Sequence, residues 1–193
     1  MIIHLLRHGR TAPNIEGLFC GSTDVPLSSE GIAELEELIS QDIYPKAQIY
    51  FTSGLLRAKQ TANIIYGDIP MLALDDLDEY NFGIYEMKSF DEIKEDDDLK
   101  LWVNDETGVI KCPGGESQQE FVQRVLRGYE SVLTLTNEES IKSAMLVFHG
   151  GPIVRIMQHL FPEEGIFFNW QPDNGHGYSI DISSDSPVIL QKF

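Results

Sequence analysis

Short apolar runs alternate along the chain with longer segments in which apolar residues recur at helical spacing. Runs of this kind predict buried strands, and they cover residues 2–6, 47–52, 71–77, 144–148, 178–182 and 188–193. The last two runs lie close together and alternate in polarity, so we interpret them as a closing hairpin. Strands that alternate with helices are typical of α/β proteins. We therefore predict a three-layer α/β/α sandwich whose sheet is mostly parallel, with an antiparallel edge strand.

Residues that cap helices mark where the predicted helices begin. Ser28 precedes one helix, and Ser53 is expected to cap a second helix that runs to about Tyr66. Ser117 and Glu120 have the spacing of a capping box, in front of a long helix with one apolar face. These three helices separate the first four predicted strands, as an α/β fold requires.

Composition indicates a single globular domain over residues 1–193, with a small insertion at about residues 86–116. The chain is 42% hydrophobic, which is enough apolar side chain to offset the entropy lost on folding and argues against disorder. It has 31 acidic residues against 14 lysines and arginines, which gives a net charge of −17. Nucleic acid and anionic membrane surfaces should be repelled, so neither is expected as a partner. An anionic substrate would need cations concentrated in one place.

Cysteine usage and the first residues both indicate a cytoplasmic protein. Cys20 and Cys112 lie far apart without a Cys-x-x-Cys motif, so free thiols are expected rather than a disulfide. The apolar run after Met1 is too short for a signal peptide and has no basic region before it. No stretch approaches the roughly 20 apolar residues that a membrane span needs.

Charged and imidazole side chains follow the predicted strands at the points where those strands end. Arg7 and His8 follow the first strand, Arg57 lies one turn into the helix after the second, Glu79 follows the third, and His149 ends the fourth. Taken singly, an arginine or histidine at a strand end is more often a capping or core residue, and a glutamate among acidic neighbours, such as Glu79, is usually solvated. Ligands bind outside the carboxyl ends of parallel strands, so these strands, if they are parallel neighbours, bring all five side chains to one cleft.

Such a cluster is suited to a phosphoryl group. Two arginines can clamp phosphate oxygens with their planar forks, and the helix that begins after His149 would point free amide groups at the same anion. Nearby arginine cations keep a histidine neutral, and a neutral imidazole is a nucleophile. His8 and His149 are both candidates for that role. Glu79 could donate a proton to the departing oxygen.

Other hydrolytic and phosphoryl-transfer chemistries find less support. Neither cysteine is followed by the arginine of a cysteine-dependent phosphatase, and Asp76-Leu77-Asp78 lacks the residues that follow the aspartate pair of haloacid-dehalogenase-type phosphatases. P-loop and Gly-x-Ser-x-Gly motifs do not occur. His8, His149 and Glu79 could bind zinc, but two arginines beside them would oppose a dication. We therefore expect neither a metal nor a cofactor.

Five ordered motifs carry a family resemblance. They are Leu6-Arg7-His8-Gly9-Arg10-Thr11-x-x-Asn14, Asp24-x-Pro26-Leu27-Ser28-x-x-Gly31, Ser53-x-x-x-Arg57-Ala58-x-Gln60-Thr61-Ala62, Asp78-Glu79-x-x-Phe82-Gly83-x-Tyr85-Glu86 and His149-Gly150-Gly151. In this order they resemble the histidine phosphatase superfamily, also called phosphoglycerate-mutase-like. One Arg-His-Gly tripeptide would be weak evidence, whereas five matches between residues 5 and 151 are specific.

The resemblance implies a role for each matched residue. His8 would be the nucleophile that becomes phosphohistidine, and Glu79 would act first as an acid and then as the base that activates water. The phosphoryl oxygens would be bound by Arg7, Arg57, His149 and Asn14. Gly150, Gly21 and Arg10 are also expected in the substrate site; Arg10 stands where the family more often has Glu or Gln, and so adds a cation. The implied fold is an α/β/α sandwich, and no metal would be required.

Within the family, the chain is similar to the alpha-ribazole phosphatase branch. The shared features are Gly17-Leu18-x-x-Gly21, Trp102 in a short insertion, the turn at residues 113–117 and Asp173-x-Gly175. The phosphoglycerate mutases use extra basic residues in their insertion, whereas residues 86–106 contain three lysines among many acids. The resemblance implies a phosphomonoesterase for a small phosphate ester, with alpha-ribazole 5′-phosphate as a candidate. A phosphoglycerate mutase and a non-catalytic phosphate-binding module remain alternatives.

Overall fold

The computed structural model describes residues 1–163 and 170–193. Over these residues, six strands form one sheet in the order β3-β2-β4-β1-β5-β6. The strands are β1 (Ile2–Arg7), β2 (Ile49–Thr52), β3 (Leu72–Ala73), β4 (Ser143–Phe148), β5 (Gly177–Asp181) and β6 (Val188–Lys192). Strands β1 to β4 are parallel, whereas β5 is antiparallel to β1 and β6 is antiparallel to β5. The predicted mostly parallel sheet with an antiparallel edge is confirmed.

Helices cover both faces of this sheet. The helices in the described ranges are α1 (Ala12–Glu16), α2 (Ser29–Ser40), α3 (Leu56–Tyr66), α4 (Phe90–Ile93), α5 (Asp97–Val103), α6 (Gln118–Glu138) and α7 (Gly150–Leu160). Alternate residues of β4 belong to two separate apolar clusters: Leu146 packs with residues of α6 and α7, and Val147 packs with Ala62 of α3. Because successive side chains of a strand point to opposite faces, both faces are buried and the fold has three layers.

Capping follows the sequence at two of the three predicted helix starts. The Ser28 side chain accepts a hydrogen bond from the Gly31 N–H, and Ser117 forms the predicted capping box with Glu120. The prediction for Ser53 is wrong, because α3 begins at Leu56 and its N-terminal residue makes no side-chain cap. The Ser53 hydroxyl instead lies 2.7 Å from Nε2 of His149.

The third predicted strand is much shorter than its apolar run. Only Leu72 and Ala73 pair with β2, and the chain then forms a 3₁₀ turn over Asp75–Leu77. This turn buries Leu77 against α6, where a side chain in place of Gly128 would contact Leu77 directly. Burial of Leu77 on the helix is therefore favoured over extension of an edge strand that has only one neighbour.

One further expectation is confirmed: Cys20 and Cys112 are free thiols. The acidic segment from residue 86 forms two short helices, α4 and α5. None of the helices in the part of the chain described here is long and apolar enough to cross a membrane.

Candidate active site

Two histidines meet where adjacent parallel strands end. In the β1–β4 register Arg7 lies opposite Phe148, and the His8 N–H donates a hydrogen bond of 2.9 Å to the Phe148 carbonyl. The next residue after β4, His149, therefore lies beside His8. The ring centroids are 5.1 Å apart, with an interplanar angle of 63°. The pairing of β1 with β4 thus joins residues that are 141 positions apart.

A cavity of about 610 Å³ opens at this edge of the sheet. Its wall contains the polar side chains of Arg7, His8, Asn14 and Glu79. Six aromatic side chains also line it, namely Phe19, Tyr80, Phe82, Phe90, Trp102 and Phe121. Several of these rings contact one another: the ring centroids of Phe19 and Phe82 are 5.1 Å apart, and those of Tyr80 and Trp102 are 5.6 Å apart. The cavity thus combines polar groups with an aromatic wall.

His8 presents a neutral nitrogen to this cavity. Its Nδ1 lies 2.6 Å from the Gly9 carbonyl oxygen. A carbonyl can only accept a hydrogen bond, so Nδ1 carries the proton and Nε2 keeps its lone pair. Burial, followed by repulsion from Arg57 and Arg7, holds the pKa of His8 well below its ordinary value. The ring is therefore unprotonated at Nε2 at neutral pH, as a nucleophile requires.

His149 is fixed by Ser53 and is fully buried. Nε2 of His149 lies 2.7 Å from the Ser53 hydroxyl oxygen, and this oxygen accepts a hydrogen bond from the Leu55 N–H. In the tautomer with a protonated Nδ1, the Ser53 hydroxyl donates to Nε2. Burial, together with the charges of Arg57 and Arg7, keeps the pKa of His149 well below its usual range. Its Nδ1 is buried and has no hydrogen-bond partner among the described residues. An anion at this position would satisfy Nδ1 in its protonated tautomer.

Two arginine side chains are held beside the histidines. Arg57 is 1% exposed, and it donates from Nη1 to the Thr23 carbonyl and from Nη2 to the Gly21 carbonyl, at 2.9 and 2.6 Å. Arg7 donates from Nη1 to the Pro172 carbonyl at 2.9 Å. Its Nε is buried and, within the described residues, has no partner. Arg7 Nε and His149 Nδ1 are thus two buried polar atoms that a bound phosphoryl group could satisfy.

The loop that holds Arg57 is organised by Glu86. The carboxylate of Glu86 accepts hydrogen bonds from the backbone N–H groups of Gly21, Ser22, Thr23 and Phe82, and from the Thr23 hydroxyl. Burial raises the pKa of Glu86, but the Thr23 hydroxyl and these N–H groups outweigh it and leave the pKa below its ordinary value. The charged carboxylate therefore fixes the two carbonyls that bind the Arg57 guanidinium.

Gly21 is required in this loop because no space exists for a side chain. A Cβ at residue 21 would overlap the Tyr80 carbonyl oxygen and would lie 2.9 Å from the Glu86 carboxylate. Gly21→Ala should displace the loop and Arg57 with it, and kcat/KM should fall about 10- to 100-fold. Overpacking should also lower the free energy of unfolding by about 1–3 kcal/mol, as measured by denaturant titration.

Gly67→Ala is the matched control for this loss. Gly67 has a positive φ of 77° at the end of α3, but nothing lies within 4 Å of a Cβ there. We expect it to lower the free energy of unfolding by about 1–2 kcal/mol while kcat/KM stays unchanged. Equal kcat/KM values for the two variants would contradict a link between Gly21 and Arg57.

Glu79 enters the cavity at the first turn of α7. Its Oε2 accepts a hydrogen bond from the Gly151 N–H, and its Oε1 accepts one from the Tyr80 N–H, each at 3.0 Å. A Cβ on Gly151 would overlap the Glu79 carboxylate, so the helix and the acid approach each other closely. This places a carboxyl group in the same cavity wall as the His8 imidazole, where proton transfer to or from a bound ester is feasible.

The other predicted binding residues differ in how the structure uses them. Asn14 lines the cavity. Gly150 packs against the Arg7 guanidinium, since a Cβ there would lie 3.3 Å from Arg7 Nε. Gly21 does not line the cavity and acts through its carbonyl, which binds Arg57. The expectation that Gly21 contacts the substrate directly is therefore corrected to an indirect role.

Arg10 is not brought to the cavity. Its guanidinium forms an ion pair of 2.9 Å with Glu34 on α2, and both side chains are more than 40% exposed. The Arg10 carbonyl accepts a hydrogen bond from the Ser28 N–H, which holds this residue against the start of α2. Contrary to the expectation of an additional cation in the substrate site, Arg10 does not line the cavity, because its guanidinium pairs with Glu34 on the surface of α2.

The low pKa of His8 can be tested by removing one of the cations that cause it. Arg57→Gln removes the larger of the two repulsive charges, so the pKa of His8 should rise. It should remain below the ordinary value of 6.5, because burial, the largest cause, is retained. The measurement is the NMR chemical shift of the His8 ring against pH. Arg10→Gln is the control, and a His8 pKa unmoved by Arg57→Gln would contradict the assigned cause.

Sequence reasoning missed the functional place of three residues. Ser53 and Glu86 stand inside the matched motifs, but their side-chain partners, His149 and the Gly21 loop, are distant in the chain. Arg124 lies in α6 and binds the backbone that carries Glu79. The sequence did contain an indication of this role. Arg124 stands between the apolar positions Phe121 and Val125, on the apolar face of the predicted helix, where a solvated charge is not expected.

Among the described residues, no group of three or more His, Cys, Asp or Glu side chains is arranged to hold a metal ion.

Comparisons with known proteins agree over nearly the whole chain. The family model of the histidine phosphatase superfamily (branch 1) matches residues 3–192. The adenosylcobalamin/alpha-ribazole phosphatase of Escherichia coli (strain K12) is 29% identical over 189 residues, which cover 95% of this chain and 91% of that protein. A 2,3-bisphosphoglycerate-dependent phosphoglycerate mutase of Methylobacterium sp. (strain 4-46) is 30% identical over 176 residues, with coverages of 77% and 81%. The crystal structure of the alpha-ribazole phosphatase from Shigella flexneri has a TM-score of 0.84 at 26% identity and covers 100% of this chain and 96% of that one.

Proposed function

Because the chain belongs to the histidine phosphatase superfamily (branch 1), we propose that it hydrolyses small phosphate monoesters through a phosphorylated His8. The observation that carries this proposal is the neutral His8 ring with its available Nε2, together with two buried polar atoms that have no hydrogen-bond partner among the described residues, Arg7 Nε and His149 Nδ1. A cradle of this kind attracts a phosphoryl dianion and leaves the nucleophile uncharged.

In the first step, Nε2 of His8 attacks the phosphorus atom. A P–N bond forms, the ester P–O bond breaks, and protonated Glu79 gives its proton to the departing oxygen. In the second step the Glu79 carboxylate takes a proton from water, whose oxygen forms a new P–O bond as the P–N bond breaks. Arg7, Arg57 and His149 would stabilise the charge on the equatorial oxygens in both steps. The Gly9 carbonyl holds the proton on Nδ1 throughout.

The aromatic wall supports a ring-bearing alcohol as the other half of the substrate. Phe82 and Trp102 contact each other at 6.1 Å, and both line the cavity. The mutases use basic residues of the insertion, but here Lys94 and Lys100 of the insertion are paired with nearby acidic residues on the surface. Together with the two alpha-ribazole phosphatase relatives, this wall favours alpha-ribazole 5′-phosphate as the substrate. Flat rings stacked on aromatic side chains bury large apolar areas.

A phosphoglycerate mutase is the second candidate. One observation favours it: Arg155 lines the cavity and supplies a cation beyond Arg7 that could bind a carboxylate. The similarity to a mutase at 30% identity agrees with this alternative. In that case the phosphoryl group would return from His8 to a second hydroxyl rather than to water.

A substrate panel in the presence of EDTA distinguishes these functions. The full chain is incubated with p-nitrophenyl phosphate, alpha-ribazole 5′-phosphate, phosphoserine and 3-phosphoglycerate, the last with and without 2,3-bisphosphoglycerate. We expect release of phosphate, with the highest kcat/KM for the ribazole ester. Conversion of 3- to 2-phosphoglycerate without phosphate release would identify a mutase. No turnover in any assay would leave a phosphate-binding module, and inactivation by EDTA would contradict a metal-independent mechanism.

A further inference from the structure

All five N–H groups of the Arg124 guanidinium donate hydrogen bonds. Three go to backbone carbonyls between residues 76 and 79, and two go to the carboxylate of Glu116. Nη1 donates to the carbonyls of Asp76 and Asp78, at 3.0 and 2.9 Å. Nη2 donates to the carbonyl of Glu79 at 3.2 Å and to Oε1 of Glu116 at 2.7 Å, while Nε donates to Oε2 of Glu116 at 3.3 Å. The guanidinium has five donors in a rigid fork, so this set of contacts fixes its position completely.

These hydrogen bonds hold the backbone segment that contains Glu79. Three carbonyls between residues 76 and 79 point to one guanidinium, which lies on α6 and is 19% exposed at the side chain. The segment begins within the 3₁₀ turn at Asp75–Leu77, and none of the described strands pairs with it to satisfy these carbonyls. Backbone carbonyls in such places need donors from elsewhere, and here Arg124 supplies them.

Glu116 holds the residues that follow Glu79 by hydrogen bonds. Its Oε1 also accepts a hydrogen bond from the Asn81 N–H at 2.8 Å, and its carbonyl accepts one from the Tyr80 hydroxyl. The Arg124–Glu116 pair therefore holds the chain on both sides of Glu79. The Glu79 side chain is left to reach the Gly151 N–H at the cavity wall.

The groups that bind the phosphoryl oxygens are positioned by other contacts. Arg57 is held by the Gly21 loop, His149 by Ser53, and Arg7 by the Pro172 carbonyl. None of these contacts involves Arg124 or Glu116. One hydrogen bond, from the Gly54 N–H to Asp78 Oδ1 at 2.8 Å, ties this segment to the backbone beside Ser53. A small shift of the Glu79 backbone should therefore change proton transfer more than it changes the binding of the phosphoryl oxygens.

We propose that Arg124 is a positioning residue that holds the Glu79 carboxyl at the departing oxygen of the ester. This inference rests on the proposed function, in which Glu79 is the general acid. Leaving groups with a high pKa need protonation as the P–O bond breaks, whereas good leaving groups do not. Loss of Arg124 therefore slows poor leaving groups selectively, which a loss of folded protein cannot do.

The test compares an aryl and an alkyl phosphate in the same preparation of enzyme. For Arg124→Gln and Arg124→Lys, kcat/KM for the alkyl ester should fall about 10- to 100-fold, as expected for a misplacement of about 1 Å, and that for the aryl ester less than about threefold. The ratio of the two values does not depend on the fraction of folded enzyme. Glu116→Gln keeps the arginine but weakens the fork, so it should shift the ratio in the same direction by a smaller factor.

Arg127→Gln is the matched control, since Arg127 lies one turn further along α6 and forms an exposed ion pair with Asp76. In Arg127→Gln, the ratio of kcat/KM for the alkyl ester to that for the aryl ester should equal the ratio in the unmodified enzyme. In Glu79→Gln, adding Arg124→Gln should change the ratio no further. Equal losses for both esters in the Arg124 and Glu116 variants would overturn the inference. An unchanged ratio in Glu79→Gln alone would instead reject Glu79 as the acid, and with it the proposed mechanism.

Discussion

Replacing His8 by alanine is expected to lower the rate of phosphate release by roughly 10⁴-fold or more, because it removes the atom that forms the covalent bond. Of the two histidines, His8 lines the cavity and has its Nε2 available, whereas Nε2 of His149 is engaged by Ser53. The measurement is phosphate release from p-nitrophenyl phosphate, together with rapid-quench trapping of an acid-labile phosphoenzyme from labelled substrate.

The control for His8→Ala is His159→Ala, which removes an exposed imidazole near the end of α7. It should retain both turnover and the trapped phosphoenzyme. A His8→Ala enzyme that still forms an acid-labile phosphoenzyme would assign the nucleophile to another residue, and His149→Ala would then be the next variant to measure. Unchanged turnover in His8→Ala, with no phosphoenzyme trapped in either the variant or the unmodified enzyme, would refute the covalent mechanism altogether.

Glu79→Gln carries the second largest expected effect. The amide keeps the shape of the side chain, and its oxygen can still accept from the Gly151 N–H, but it cannot donate a proton to the leaving oxygen. The kcat for an alkyl phosphate should fall about 10²–10⁴-fold, whereas the first step with an aryl phosphate should be nearly unaffected. Burst kinetics with the aryl ester separate that step from hydrolysis of the phosphoenzyme, where Glu79 acts as the base.

Glu86→Gln provides the matched control for Glu79→Gln. Glu86 is also a carboxylate near the cavity, but its contacts hold the Gly21 loop and, through it, Arg57. Weakening those contacts should lower kcat/KM for both esters by the same factor. Two results would contradict this division of roles between the two carboxylates. One is a loss of kcat/KM for the alkyl ester alone in Glu86→Gln, and the other is an equal loss of kcat/KM for both esters in Glu79→Gln.

The two ends of the site are organised around different charged side chains, and the two networks are linked by the hydrogen bond from the Gly54 N–H to Asp78 Oδ1. At the phosphate end, one carboxylate collects the N–H groups of a loop, and two carbonyls of that loop hold a buried arginine. At the acid end, one guanidinium collects three carbonyls of the segment that carries Glu79. In both cases a partly buried charge organises irregular backbone, whose polar groups are not paired within a helix or strand of the described residues.

Several features were predictable from the sequence because they depend on neighbours along the chain. Apolar runs and capping residues located most strands and helices within a few residues, and Ser28 and Ser117 cap as predicted. The third strand was overestimated, because its apolar residues are equally suited to a turn that buries Leu77. Ser53 was misjudged for a similar reason: a serine before a helix is a common cap, and its contact with His149 lies 96 positions away.

By itself, the sequence determined that two arginines, two histidines and a carboxylate follow the ends of predicted strands, because residue types and their order are local properties and parallel strands end at one edge of a sheet. Only the tertiary structure decided which nitrogen of His8 is available, that Arg10 turns to Glu34, and that Arg124 supports Glu79. Each of these depends on a hydrogen bond from a side chain to a backbone carbonyl, or on an ion pair between two side chains. The periodicity and spacing of residues in the sequence do not encode such geometry.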